Sequence, residues 1–169
     1  VYVSPSGANT GAAGTRANPA SLQYGLTLLS AANNHMRMAQ GTYTINQPIS
    51  LASNFTIEGG FESSQWIKSN TYSTIIQRSA LNVEPNPSRI TAIQAVNMSA
   101  FRLQDLTIQV ANAIGNGVST YGIYLSGCSN YNITRCTVIA GNGTPGQSGT
   151  AGIAGQNGAP GLNGQSGDD

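Results

Sequence analysis

Two stretches of sixteen residues, thirty positions apart, carry one pattern of apolar residues: IQAVNMSAFRLQDLTI at 93–108 and IYLSGCSNYNITRCTV at 123–138. Apolar residues coincide, without a gap, at 93/123, 95/125, 98/128, 101/131, 103/133, 106/136 and 108/138. Thr107 also coincides with Thr137. An ungapped internal repeat indicates that the chain is built from stacked copies of one unit.

Each copy contains short segments with the period of two that is typical of β-strands. Such a unit cannot bury its apolar face alone, whereas stacking at strand spacing buries a continuous column of side chains. The sequence therefore predicts an all-β fold, a right-handed parallel β-helix (a solenoid), with a loop at 113–120. A β-sandwich is the alternative, but it would not explain the ungapped register.

One helix is predicted near the N-terminus. Asn18 is expected at the N-cap and Pro19 at the first helical position. Leu22, Leu26 and Leu29 then fall on one face. We expect this short helix to cap the stack, because bare strand edges would otherwise pair with other chains.

Beyond residue 140 glycine recurs at every third position, from Gly143 to Gly167, with Pro145 and Pro160 in between. This period predicts a polyproline-II-like Gly-x-x segment. A fold-back bundle, a collagen-like trimer and a partner protein remain open as ways to order it. The predicted domains are residues 1–140, the β-helix with its cap, and residues 141–169, a tract expected to continue in a longer native chain.

Charged residues are scarce. Lysine and arginine number 7 and aspartate and glutamate 6 among 169 residues, which leaves a net charge of +1. Nucleic acids and anionic membranes require clustered basic residues, so neither is an expected partner. The apolar stretch at 26–32 is too short to span a bilayer. Because Val1 begins directly in a strand-like pattern, we expect a mature chain whose targeting segment has been removed.

Few acidic residues are available for catalysis. In the thirty-residue register Asp105 lies opposite Arg135, which predicts a stacked salt bridge with a structural role. Glu58 and Glu62 flank the turn at Gly59 and are interpreted as solvated turn residues. A calcium ion there would need about six to eight oxygen ligands, mostly from carbonyl groups.

The remaining candidates also have structural interpretations. His35, the only histidine, is expected on an outward strand position without a triad partner. Cys128 and Cys136 fall at core positions, with a disulfide as an alternative in an oxidising compartment. Trp66 is expected to cover one side of the fold rather than to stack on sugars.

Two tyrosines complete the set of possible sugar-stacking residues. Tyr131 aligns with Phe101 and is expected in the core, whereas Tyr124 remains open. Four Asn-x-Ser/Thr sequons, at 54, 97, 132 and 142, are interpreted as turns.

Several motifs resemble large secreted bacterial cell-surface proteins of the Bacteroidota type, which combine a pectate-lyase-like right-handed parallel β-helix with a Gly-rich tract. These motifs are VYVSPSG at 1–7, NPASL at 18–22, AQGTY at 39–43, EGGF at 58–61 and STYGIYL at 119–125. The resemblance covers the whole chain. It implies an extracellular location and export through a dedicated secretion system.

The resemblance implies a non-catalytic structural or adhesive module of a longer polypeptide. The alternative is a polysaccharide-binding or polysaccharide-cleaving β-helix. Lyases of this fold hold calcium with several acidic residues and hydrolases use grouped aspartates, but Asp105 is the only aspartate before the tail. We therefore predict no catalytic, cofactor-binding or metal-binding residues and no cofactor. The expected partners are other copies of the chain or the rest of a longer one, the secretion machinery, and surface glycans.

Overall fold

A computed structural model of the chain describes residues 1–164 and residue 167, and most of their regular structure is β-strand. The elements in chain order are β1 (Tyr2–Ala8), α1 (Leu22–Leu28), β2 (His35–Ala39), β3 (Gly41–Ile45), β4 (Ile49–Ser50), β5 (Thr56–Phe61), β6 (Thr74–Arg78), β7 (Arg89–Val96), β8 (Arg102–Gln104), β9 (Thr107–Val110), β10 (Ser119–Ser126), β11 (Asn132–Thr134) and β12 (Thr137–Ile139).

Within the described residues these strands form three sheets, and neighbouring strands run parallel in each. The first sheet has the order β1-β2-β5-β8-β11, the second β3-β6-β9-β12 and the third β4-β7-β10. From β2 onward, consecutive strands along the chain lie in different sheets, and from β5 onward each strand pairs with one from earlier in the sequence.

The thirty-residue repeat is a true structural register. Ile123 pairs with Ile93 and Leu125 with Ala95 in the third sheet. Ile133 pairs with Leu103 in the first sheet, and Val138 pairs with Ile108 in the second. The predicted one-to-one alignment of 93–108 with 123–138 is confirmed at these positions.

Each sheet contributes one column of apolar side chains to a shared core. Met36, Ile57 and Leu103 follow one another in the first sheet, and all three are fully buried. Tyr43, Ile76 and Ile108 form the matching column of the second sheet. The third column consists of Ile49 and Ile93. Burial of these columns is the main source of stability.

The predicted fold class, a right-handed parallel β-helix with a polyproline-II-like extension, is wrong as a description of this chain. The described part consists of three parallel sheets with almost no helix, in which no solenoid or barrel is detected. Parallel sheets alone do not establish a β-helix. The β-sandwich alternative fails as well, because sandwiches pair antiparallel strands.

The reason for the error lies in the extent of the repeat. Paired residues are thirty positions apart only where the last three strands meet their neighbours. Along the first sheet the earlier separations are 21, from His35 to Thr56, and 46, from Thr56 to Arg102. The thirty-residue period therefore applies to the last three strands, whereas the connections between the earlier strands vary in length.

The helix begins later than predicted. Ser21, not Asn18, is its N-cap, and the Ser21 Oγ accepts a hydrogen bond from the Tyr24 backbone N–H at 3.2 Å. Residues 18–20 instead pair with β1. The Ala8 N–H donates to the Pro19 carbonyl, and Ala20 forms β-bridges with Val3 and Ala8. Satisfying backbone groups of β1 outweighs the local N-cap signal.

The helix packs against β1, with Leu22 and Gly25 buried. A side chain at position 25 would collide with Val3 and press on Met36. Glycine at this position therefore allows the helix to lie directly on the strand.

From residue 140 to residue 164 the structure has neither helix nor strand, and nearly every residue is exposed. Among the described residues of the tract, those at its beginning are attached to the loop between β9 and β10. The Asn142 N–H donates to Asn112 Oδ1 at 2.8 Å, and the Thr144 N–H donates to the Val118 carbonyl at 2.9 Å. Asp168 and Asp169 lie outside the described residues.

Candidate functional site: a charged corner and its cleft

Four of the thirteen charged residues meet at one corner of the molecule, where the first sheet turns into the second. We call this cluster the corner network; it consists of His35, Glu58, Lys68, Gln104, Asp105 and Arg135. The parallel register places Glu58 beside Gln104 on neighbouring strands. Asp105 and Arg135 follow β8 and β11 at equivalent turn positions, and both have a positive φ.

Lys68 is the centre of this network. Its ammonium group contacts both Glu58 Oε1 and Asp105 Oδ2. The Gln104 amide lies within 3.3 Å of the same Glu58 oxygen and within 3.2 Å of the same Asp105 oxygen. One lysine and one amide therefore hold two carboxylates together, although like charges would otherwise repel.

The predicted salt bridge between Asp105 and Arg135 is confirmed. Arg135 Nε lies 2.5 Å from Asp105 Oδ1, and Nη2 lies 2.9 Å from Oδ2, which is a bidentate arrangement. The Arg135 hydrogen bonds, together with Lys68, hold the pKa of Asp105 far below its usual range. Asp105 is therefore a carboxylate at neutral pH and is poorly suited to donate a proton.

His35 has a partner that the sequence analysis did not identify. Its Nε2 lies 2.9 Å from Glu58 Oε2. Partial burial lowers the pKa of the His35 imidazole, and the nearby Arg37 adds to this effect, although Glu58 opposes it. The pairing of His35 with Thr56, two residues before Glu58, was the available signal, but it became visible only with the strand register.

Glu58 and Glu62 do not form a common site. Glu62 instead accepts hydrogen bonds from the backbone N–H groups of Ser64, Gln65 and Ile67 and from the Ser64 hydroxyl. These bonds lower the pKa of Glu62 to about 2. Its role is to stabilise the loop after β5, which agrees with the turn interpretation of Glu62. The same interpretation is wrong for Glu58, which lies within β5 with its side chain largely buried.

Trp66 lies in that loop and is buried, as expected for a covering residue. Its ring contacts the edge of Tyr2 at a centroid distance of 4.8 Å and lies 6.2 Å from Phe61. The indole N–H donates to the Arg16 carbonyl at 3.2 Å. With both its ring and its polar atom engaged, Trp66 presents little surface to a sugar.

The two tyrosines differ from each other. Tyr131 is stacked on Phe101 at 5.2 Å with nearly parallel rings, but it remains 46% exposed, so the prediction of a core position is wrong. No further strand covers it in the described part of the chain. The Tyr124 ring is covered by the Arg89 guanidinium, 4.3 Å from the ring centroid.

Cys128 and Cys136 are free, half-buried thiols that pack against the core. This confirms the packing role and not the disulfide alternative. Burial raises the pKa of the Cys136 thiol, which disfavours the reactive thiolate.

Arg78 is a structurally important residue that the sequence analysis missed. It is fully buried in β6 and donates to the carbonyl groups of Thr91, Ser79, Leu81 and Asn82. Its Nη2 also lies 3.3 Å from Glu84 Oε1. The alternation of inward Thr74 and Ile76 along β6 places position 78 inward as well, and this was the usable signal.

A shallow cleft of about 240 Å³ adjoins the corner network. Its lining is mainly polar and consists of Ser69, Asn70, Tyr72, Ser73, Thr74, Asp105, Leu106, Thr107, Arg135 and Thr137. Hydroxyl and amide groups beside a fixed carboxylate–guanidinium pair suit a ligand rich in hydroxyl groups.

Comparisons give no relative from which to infer a role: no family model, curated protein or solved structure matches the chain. Among residues 1–164 and 167, no three His, Cys, Asp or Glu side chains are grouped so that they could hold a metal ion. The helix found in this part of the chain is too short to cross a bilayer.

Proposed function

We propose that this chain is a non-catalytic structural or adhesive module of a large secreted bacterial surface protein, located outside the cell. The observation that supports the proposal is that several carboxylates bind other groups of the protein itself. Glu58, Glu62, Glu84 and Asp105 each bind cations or backbone N–H groups of the protein itself.

The corner network connects distant parts of the chain. Glu58 lies on β5, Asp105 and Arg135 follow β8 and β11, and Lys68 comes from the loop after β5. The contacts therefore fasten a loop onto three successive strands of one sheet. Several charges acting as a network contribute more than an isolated surface pair.

Glu84 fixes a second loop. Its carboxylate lies 3.3 Å from Arg78 Nη2 and 3.3 Å from Arg89 Nε, and it accepts the Thr91 N–H at 3.0 Å. The loop between β6 and β7 is thereby held from both ends. Rigid loops on a sheet framework favour the structural half of the proposal.

Incubation with pectin and alginate tests this proposal. We expect no new unsaturated or reducing ends, because Asp105 is held as a carboxylate by Arg135. Cleavage by the wild-type protein that is abolished in Glu58→Gln would overturn the proposal. The Glu84→Gln variant, altered in the loop between β6 and β7 and outside the corner network, is the matched control.

Polysaccharide binding without cleavage is a second candidate, which the polar cleft favours. Thr107 and Thr137 are register partners on β9 and β12, and Tyr72 offers a half-buried ring. We expect Tyr72→Ala and Thr107→Val to weaken binding of a uronic-acid oligosaccharide, measured by calorimetry. Thr42→Val, on the same face of the second sheet but outside the cleft, is the control.

A further inference from the structure

We propose that two copies of this chain associate face to face through one end of the molecule. We call this surface the open end: the outer edges of β10, β11 and β12, with the core-facing side chains of Ile123, Leu125, Tyr131, Ile133 and Val138. These three strands are the last strands of their sheets in the described part of the chain. The proposal goes beyond the structural role and names a partner.

The register provides a matched comparison of exposure. Leu103 and Ile108 are fully buried, whereas their register partners Ile133 and Val138 are 37% and 45% exposed. The residues have the same character and orientation, and they differ in whether another strand lies above them. The open end is therefore a core face that no strand covers in the described part of the chain.

The opposite end is already covered. There α1 lies on β1, Leu22 and Gly25 are buried, and Ala20 pairs with β1. Since the apolar residues at this end are satisfied, head-to-tail association would set an open end against a closed one. This arrangement would leave the exposed columns without an apolar counterpart.

As far as the structure describes it, the chain that follows β12 turns away from the open end. Gly141 lies against the Ala111 carbonyl, and the Ala113 N–H donates to the Asn142 carbonyl at 2.8 Å. The Gly117 N–H then donates to the Pro145 carbonyl at 2.7 Å. Residues 141–145 therefore run along the loop between β9 and β10, on the flank of the sheets.

The open end of a second copy can cover both the apolar side chains and the unpaired strand edges of the first. It supplies the same apolar columns, and a two-fold axis brings the free strand edges together antiparallel. Between residues 119 and 140 the only charged residue is Arg135, which Asp105 already neutralises. Little charge repulsion therefore opposes the contact, and unpaired apolar edges favour it.

Sedimentation equilibrium of the whole chain over a wide concentration range tests the proposal. We expect a reversible monomer–dimer equilibrium, and we expect Val138→Lys and Ile133→Lys to raise its Kd by about tenfold or more. Leu81→Lys is the control, because Leu81 is 64% exposed but follows β6, two strands away from β12. Circular dichroism establishes that each variant is folded.

A second readout locates the contact without any substitution. Cys128 and Cys136 belong to the turns that connect β10, β11 and β12, so association should slow their reaction with a thiol reagent as the protein concentration rises. A wild-type chain that remains monomeric, or a dimer that Leu81→Lys weakens equally, overturns the proposal. A monomer would leave the proposed structural role intact, whereas polysaccharide cleavage would overturn that role and not the dimer.

Discussion

Asp105 and Arg135 are thirty residues apart in sequence and are joined side by side in the turns that follow neighbouring strands, with Nε–Oδ1 and Nη2–Oδ2 distances of 2.5 and 2.9 Å. Both residues occupy the left-handed region of backbone conformation, with φ values of 54° and 50°. The pair therefore marks one turn position in two successive copies of the repeat. It also joins the corner network to the polar cleft.

Replacing Asp105 by asparagine should destabilise the fold by about 1 kcal/mol, since charge-assisted hydrogen bonds are lost beside solvent. Asparagine tolerates the left-handed conformation, so the backbone preference is retained. Urea denaturation measures the change in the free energy of unfolding. Adding Arg135→Gln to this variant should lower the free energy of unfolding only a little further, because the partner of Arg135 is already neutral. If Arg135→Gln destabilised wild type and Asp105→Asn equally, the network would be contradicted.

The same carboxylate should make stability depend on pH. The pKa of Asp105 is lowered in the folded state, so its contribution is complete above the unfolded pKa of about 3.9. It is then lost progressively as the pH falls further. Thermal unfolding between pH 7 and pH 2 should show a steeper acid loss for wild type than for Asp105→Asn, and parallel curves would contradict this.

Glu62 should titrate at an unusually low pH. Backbone N–H groups of the loop lower its pKa to about 2. The loop should therefore remain ordered at pH values where an ordinary glutamate is already protonated, and it should loosen only as the pH falls towards about 2. Trp66, the only tryptophan, reports this change through its fluorescence. The Glu62→Gln variant should lack the transition, and a midpoint near the ordinary glutamate pKa of about 4.3 would refute the assignment.

Gly59→Ala should destabilise the protein by about 1–3 kcal/mol through overpacking. A Cβ atom at this position of β5 would collide with the Asp105 carbonyl and would lie 2.7 Å from Thr74 Cβ. Gly149→Ala is the matched control, because nothing lies within 4 Å of a Cβ there. Equal denaturation midpoints for the two variants would show that the close approach is absent.

Tyr43→Phe should lower the free energy of unfolding by about 1 kcal/mol. The buried hydroxyl lies 2.9 Å from the Ala39 carbonyl and 3.0 Å from the Val3 carbonyl, so it joins β3 to the first sheet. Burial also raises the pKa of Tyr43 well above its usual range. Alkaline absorbance titration should therefore show one fewer late-ionising tyrosine in this variant.

The pairing of the last three strands with their neighbours was predictable, but the other pairings and the architecture were not. The ungapped alignment gave the register partners Leu103–Ile133 and Ile108–Val138, because a change of one residue would turn every apolar side chain outward. The helix start was predicted wrongly, since pairing of residues 18–20 with β1 is a long-range effect. The unequal separations along the first sheet leave no regular period in the sequence.

Most of the candidate site also depended on distant contacts. The Asp105–Arg135 pair followed from the repeat, but the meeting of Lys68 with Glu58 and Asp105 depends on how one irregular loop folds. The burial of Arg78 was hard to predict. The alternation along β6 places position 78 on the inward face, but arginine is usually exposed.

The sequence by itself determined most of the core-facing positions of the repeat and the pairing of the last three strands, because apolar periodicity and register are local and repetitive properties there. The tertiary structure alone decided how three parallel sheets share that core, where the few charges gather and which end is left uncovered. These features depend on loops of unequal length, whose geometry is settled only when backbone hydrogen bonds and buried charges find their partners.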